Sequence, residues 1–302
     1  MAQAALDVFR ALDQALAAAV AAVGPSIIHV RRSHHGGGTS IAWSEDLVIT
    51  SSFHVPDRTT IGIATADGKL DEREADVIGR DPGTDVAVLR VTGGGLTPAT
   101  FRDLGDLAVG NLVLAIGRPG RTARASLRAV GVLGPELDTP QGGKLDRYIE
   151  SDRQIPRGFA GGPLIDGDGK VIGMNTRTLL RHADLAVPTA TLRRVVAELV
   201  AYGGIRKGYL GVGAYPAQLP APLAQIVTRD RAALIASVED GGPAATAGVQ
   251  VGDLVYELAG LAVNGPDSLR EALADKPGAT VKLLLFRAGQ KHEQDVVLGS
   301  RS

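Results

Sequence analysis

The apolar residues of this 302-residue chain fall into short runs broken by glycine, proline and aspartate, and that rhythm restricts the fold more than any single residue does. With 39 glycines and 16 prolines against 5 Phe, 5 Tyr and one Trp, the chain is turn-rich. Many short strands fit it better than long helices. Residues 26–31, 39–44, 46–50, 60–64, 74–79 and 86–91 read as six strands, with a turn signal at Ala66-Asp67-Gly68-Lys69. Their regular spacing predicts a small antiparallel barrel. The strand count alone also allows a sandwich.

A second set follows at residues 112–117, 126–132, 147–150, 162–165, 170–174 and 183–187. A helical pattern through Leu192, Val195, Val196, Leu199 and Val200 then stops at Gly203-Gly204, as helices ending in glycine do. Beyond Gly208 lies a third unit. Extended residues 209–213 and a strand at 233–238 precede a short helix from Pro243. A run at 251–258, a helix at 268–273 and strands at 281–286 and 294–298 complete it.

The N-terminus reads differently. Leu6, Phe9, Leu12, Leu16, Val20 and Val23 recur at helical spacing and stop at Gly24-Pro25, which predicts an amphipathic helix packed on the following domain, or alternatively a subunit contact. Asp7, Arg10 and Asp13 interrupt the apolar stretch, so it is too short for the ~20 residues of a membrane helix. The charges are also wrong for a signal peptide. The expected compartment is the cytoplasm, or the periplasm or cell envelope if an export signal has been removed. Net charge −1 gives no sign of a nucleic-acid or membrane-surface partner. Absence of cysteine excludes disulfides, thiolate zinc sites and thiol catalysis. His34-His35 lacks a third spaced ligand and reads as loop, so no metal, cofactor or nucleotide is expected.

The loop Gly158-Phe159-Ala160-Gly161-Gly162-Pro163 lies between two apolar runs, and its glycines let backbone N–H groups approach a ligand. It resembles the Gly-Asn-Ser-Gly-Gly-Pro loop of trypsin-like serine proteases, the HtrA family in particular. Ala160 stands where that family carries its nucleophilic serine. His54 in Thr50-Ser51-Ser52-Phe53-His54-Val55 resembles the family's Thr-Asn-Ala-His-Val. Asp85 in Thr84-Asp85-Val86-Ala87-Val88-Leu89 resembles its Thr-Asp-Leu-Ala-Val-Leu. These come in the chain order His, Asp, Ser. Pro243-Ala244-Ala245-Thr246-Ala247-Gly248 and Val251-Gly252-Asp253-Leu254-Val255 resemble an HtrA-type PDZ domain.

The resemblance implies an N-terminal helix over 1–24, a chymotrypsin-like protease domain over 25–203 with barrels at about 25–110 and 111–203, and a PDZ domain over 208–302. It implies His54 as general base, Asp85 orienting it, and the backbone N–H groups of Gly158 and Ala160 as an oxyanion hole. Substrate would contact Asp152, Phe159, Asn175, Thr176 and Arg177 in a first specificity pocket that leans to small or aliphatic residues. A peptide C-terminus would lie along Tyr209, Leu210, Gly211 and Val212, against Leu269 and Leu273. Unfolded or misfolded polypeptides are the implied substrates, and a homotrimer the implied assembly. Alanine has no nucleophile, so the chain as written is expected to be inactive. The retained His54, Asp85 and glycine loop favour a serine replaced by engineering. The alternative is a natural pseudoprotease serving as a peptide-binding scaffold.

Overall fold

The structure, a computed structural model, describes residues 2–31, 37–53, 55–274 and 276–301. The chain divides into two compact units, Met1–Ile205 and Arg206–Ser302.

Unit one opens with α1 (Ala2–Val23) and a 3-10 turn over Gly24–Ser26. Six strands follow: β1 (Ile27–Arg31), β2 (Gly37–Ala42), β3 (Leu47–Ser51), β4 (Arg58–Ala64), β5 (Leu70–Asp81) and β6 (Val86–Val91). They close into an antiparallel barrel in the order β1-β2-β3-β6-β5-β4. β5 runs longer than its apolar residues indicate, because Asp71, Glu72 and Glu74 occupy exposed positions of a strand still paired to β4. Strand pairing needs backbone groups, and solvent-facing positions carry charge without cost.

β7 (Leu112–Gly117), β8 (Arg124–Gly134), β11 (Tyr148–Ser151), β12 (Pro163–Ile165), β13 (Val171–Thr176) and β14 (Leu185–Pro188) form a second closed barrel, ordered β11-β14-β13-β12-β7-β8. Between β8 and β11 sits a small hairpin, β9 (Leu137–Asp138) and β10 (Lys144–Leu145), that the apolar pattern did not reveal. Its residues alternate too briefly to register as strands.

Each barrel has its own core: Ile28, Val30, Val48, Ile61 and Leu89 in the first, and Val113, Val130, Ile149, Phe159 and Leu164 in the second. A third cluster joins them. Ile41, Ile49 and Val88 of barrel one meet Ile116, Ile165 and Val187 of barrel two, together with Leu192, Val195 and Leu199 of α2 (Thr189–Tyr202). Burial of this shared apolar surface holds the barrels together and fixes what lies between them. Gly203, at φ 74, ends α2 by donating its N–H to Leu199 O.

Helix α1 packs on this cluster only through Leu16, Ala19, Val20 and Val23. Leu6, Phe9 and Leu12 are 45%, 67% and 41% exposed. The packing expected along the helix therefore reaches only its last two turns.

In unit two, β15 (Lys207–Tyr209) pairs with β22 (Gly299–Arg301). β16 (Val212–Gln218), β17 (Arg231–Val238), β18 (Leu254–Leu258), β20 (Thr280–Arg287) and β21 (Gln290–Val297) line up as β16-β17-β18-β20-β21, and β19 (Leu261–Ala262) pairs with β18. Three helices complete the unit: α3 (Ala221–Val227), α4 (Pro243–Thr246) and α5 (Pro266–Leu273). Its core brings together Leu210, Ile235, Val255, Leu269, Leu273 and Leu285. Helix α3 was not apparent from the sequence. It has no fully buried residue, so its apolar periodicity is weak.

Candidate active site

Asp85 immediately precedes β6 and is 2% exposed. Its backbone adopts φ 57, a left-handed conformation that aspartate tolerates better than most side chains. The preceding turn enforces it: Asp81 accepts hydrogen bonds from Gly83 N at 3.0 Å and Thr84 Oγ1 at 2.6 Å, and Asp85 N donates to Pro82 O. The Asp85 carboxylate accepts from the Ser51 hydroxyl at 2.9 and 2.8 Å, from Ser52 Oγ at 3.0 Å and from Phe53 N at 3.2 Å. Thr176 Oγ1, from the far barrel, donates to Oδ2 at 2.6 Å. Among the described residues no cation pairs with it. The acceptors of this buried carboxylate are thus met by hydroxyl and amide donors from both barrels. Three of the donors come from residues 51–53, immediately before His54. His54, like His34 and His35, lies outside the described residues.

The glycine loop is built as a series of tight turns. Phe159 N donates to Pro156 O across Gly158, which sits at φ 85. Gly162 N donates to Phe159 O, and Gly161, at φ 87, donates to Asn175 O at 2.8 Å. The Gly158 carbonyl is turned onto Thr39 Oγ1, which donates to it at 2.6 Å and accepts the Arg118 N–H at 2.7 Å. A Cβ on Gly161 would lie 2.3 Å from Thr39 O and 2.4 Å from Thr50 Oγ1, so only glycine fits this approach to barrel one. Phe159 points into the core of barrel two, where it occupies the space over Gly117. Ala160 is 7% exposed, at the apex of the loop.

The residues assigned to substrate contact divide into two groups. Asn175 and Thr176 are 1% and 0% exposed and turn their side chains inward, Asn175 Nδ2 to Pro163 O at 2.9 Å and Thr176 to Asp85. Asp152 and Arg177 stay at the surface, next to Arg153 Nε at 3.4 Å and Asp184 at 3.6 Å respectively. Thr39, Ser51, Ser52, Arg118 and Arg128 support the loop or the carboxylate, although no motif in the chain singles them out. Hydroxyls are common in strands, and only the closed barrels bring these to the site.

In unit two, Tyr209 ends β15 and its hydroxyl bonds Glu239. Leu210 is buried and its carbonyl accepts from Ala244 N, while Gly211, at φ 77, accepts from Glu239 N. Val212 opens β16, which among the described residues has a sheet partner on one side only and so presents one open backbone edge. Leu269 and Leu273 face the same core as Leu210. Pro216 lacks an N–H and interrupts that edge beyond Tyr215.

Comparison with known proteins agrees with this architecture. A trypsin-like peptidase domain model matches residues 38–174, and a PDZ domain model matches residues 208–298. A probable periplasmic serine endoprotease, DegP-like, of Bartonella henselae is 33% identical over 91% of this chain and 56% of its own length. The periplasmic pH-dependent serine endoprotease DegQ of Escherichia coli is 32% identical over 87% of this chain and 59% of its own. The chain thus spans little more than half the length of these curated relatives. The solved HtrA-type protease AlgW with decapeptide covers 95% of this chain and 99% of its own at TM-score 0.68 and 23% identity, which shows a shared fold. The relatives' periplasmic names overturn the cytoplasmic expectation and point to the periplasm instead. That expectation rested on the charged residues of the N-terminal helix, which say how the helix packs but not where the protein resides. The chain, a chymotrypsin-like double barrel followed by a PDZ domain, belongs to the HtrA family of serine-type endopeptidases.

Proposed function

We propose that this chain is built as an HtrA-like endopeptidase for protein quality control that cleaves unfolded or misfolded polypeptides, and that Ala160 disables its nucleophile. The observation that carries this reading is the Asp85 carboxylate. It is buried, has no cation partner among the described residues, and is held at the barrel junction by donors from residues 51–53 and Thr176. A structural aspartate at a turn does not need five such bonds. In this reading Asp85 orients His54, which takes and returns a proton, and the N–H groups of Gly158 and Ala160 hold the oxyanion. The full glycine loop supports a natural serine at 160. Losing the serine of such a triad costs roughly 10⁶ in turnover in the subtilisin case, so the chain as it stands should be inert.

The PDZ domain, with the free edge of β16, supports capture of peptide C-termini by strand addition. The exposed Leu6, Phe9 and Leu12 of α1 support assembly of several copies. The names of the relatives support a periplasmic site of action. The decisive experiment is Ala160→Ser followed by an assay on a denatured protein: cleavage is expected, and none above the Ala160 background would sink the protease reading. One observation favours a second reading, the alanine itself, which a natural peptide-binding scaffold would also carry. Under that reading the serine variant stays inert while peptides with a free C-terminus bind more tightly than their amides.

A further inference from the structure

Arg128 lies on β8 with only 2% of its surface exposed. Burial pulls its pKa down, Asp152 and Asp184 pull it back up, and nearby Arg153 pushes it further down. Among the described residues no carboxylate lies within ion-pair distance of it. Its partners are main-chain carbonyls: Nη1 donates to Arg153 O at 2.5 Å and Nη2 to Gln154 O at 2.8 Å, with Ser151 Oγ at 3.3 Å. Its buried Nε makes no hydrogen bond among the described residues. A buried guanidinium held only by neutral acceptors is costly, and residues of this kind stay where they do something other than stabilise.

What Arg128 holds is the segment leading into the glycine loop. From the other side, Asp184 Oδ2 accepts Ile155 N at 2.6 Å. Asp152 N donates to Ala129 O, next to Arg128 on β8. Residues 152–155 are thus suspended between a buried cation and a largely buried carboxylate. The carbonyls of Arg153 and Gln154 are both turned onto the guanidinium.

We propose that Arg128 is the positioning residue for this wall of the first specificity pocket and that it excludes basic side chains from it. This rests on the protease reading above. The carbonyls of Arg153 and Gln154 are withdrawn as acceptors, and the positive charge behind them repels a lysine or arginine. Both effects act against the residue before the scissile bond when it is cationic, and neither penalises a small apolar one.

The test uses the Ala160→Ser chain alone and with Arg128→Met or Arg128→Lys. Amidated peptides differ only in valine or lysine before the scissile bond, and kcat and KM are measured separately. In the Ala160→Ser chain valine should be preferred over lysine by about 100-fold in kcat/KM or more. Arg128→Met should reduce that ratio by about tenfold or more, mainly by lowering KM for the lysine peptide, and Arg128→Lys should keep most of it. A ratio unchanged within about twofold in Arg128→Met overturns the proposal, because a purely structural role would lower both peptides alike. Amide exchange at Ile155, measured in the inactive Ala160 chain, gives an independent reading. Arg128→Met should accelerate it by about tenfold while the strands of barrel one are unaffected, and unchanged exchange overturns the proposal. If the serine variant cleaves neither peptide, the protease reading fails, and the exchange measurement still decides whether Arg128 holds the wall.

Discussion

The Thr176 hydroxyl donates to Asp85 Oδ2 at 2.6 Å, and the two residues belong to different barrels. Both are essentially buried, at 0% and 2% exposure. A buried hydroxyl donating to a carboxylate over so short a distance is among the stronger hydrogen bonds a protein makes. Replacing Thr176 by valine keeps the shape and removes the donor. Stability should fall by about 1–3 kcal/mol, since the carboxylate stays buried with one partner fewer. In the Ala160→Ser chain kcat/KM should fall at least about tenfold, the equivalent of 1.4 kcal/mol, if Asp85 sets the imidazole. Thermal melts and initial rates measure the two effects.

Thr39 tests the Gly158 turn proposed to hold the oxyanion. Its hydroxyl clamps Gly158 O and accepts Arg118 N–H, so Thr39→Val leaves both without a partner, whereas Thr39→Ser restores them. In the serine-restored chain Thr39→Val should lower kcat by about 100-fold with little change in KM, the effect expected when a catalytic donor is misplaced. Thr39→Ser should stay within a few-fold of the parent. Equal rates for Val and Ser would remove Thr39 from the account.

Gly161→Ala asks for the impossible on two counts. The backbone is at φ 87, and the new methyl would sit 2.3 Å from Thr39 O. The variant should lose about 3 kcal/mol or more, seen as a melting point lower by about 6 °C or more. A melting point within about 1 °C of the parent would show that the loop relaxes away from barrel one.

In unit two, Asp253 is 1% exposed and accepts from Arg287 Nε at 2.8 Å, from its Nη2 at 2.7 Å and from Gln250 N at 2.8 Å. Arg287→Ala strands this carboxylate and should cost about 3 kcal/mol in urea unfolding. Adding Asp253→Asn should recover part of that loss, because an amide is cheaper to leave half-satisfied than a charge.

Tyr256 is buried against Phe286, ring centroids 4.9 Å apart, and burial, aided by Glu257, raises its phenol above the ordinary value of 10.0. The unfolded chain therefore ionises first. The stability that neutral Tyr256 contributes is intact below pH 10 and is lost as the pH rises through its native value. The Tyr256→Phe protein should lose less stability between pH 9.5 and pH 11 than the parent, an interval chosen as roughly the span of tyrosine titration. Parallel loss in both proteins would assign the alkaline effect to other groups.

Much of this molecule was legible in its sequence. Alternating runs between turn residues located the strands, because a strand with one buried face must alternate. The order of the His54, Asp85 and Ala160 motifs, with the PDZ-like stretches after them, pointed to the family. What could not be read were α3 and the β9–β10 hairpin, whose few residues bury too little to imprint a period. The helix α1 shows the opposite failure. Its apolar stripe is complete, yet only the end near Val23 finds a core, since periodicity records a face and not what covers it.

The same division runs through the site. Sequence alone determined that residue 160 has no hydroxyl, that glycines flank it and that an aspartate follows the Asp81-Pro82-Gly83 turn, because these are facts of covalent chemistry and local backbone preference. Only the tertiary structure decided that Thr176 would reach Asp85, that Thr39 would hold Gly158 and that Arg128 would hang beneath residues 153 and 154. Those partners lie 91, 119 and 25–26 positions apart in the chain. The first two pairs meet because two closed barrels bury a common apolar surface, the third because barrel two closes β8 onto β11, and no local pattern encodes which donor that closure will bring against which acceptor.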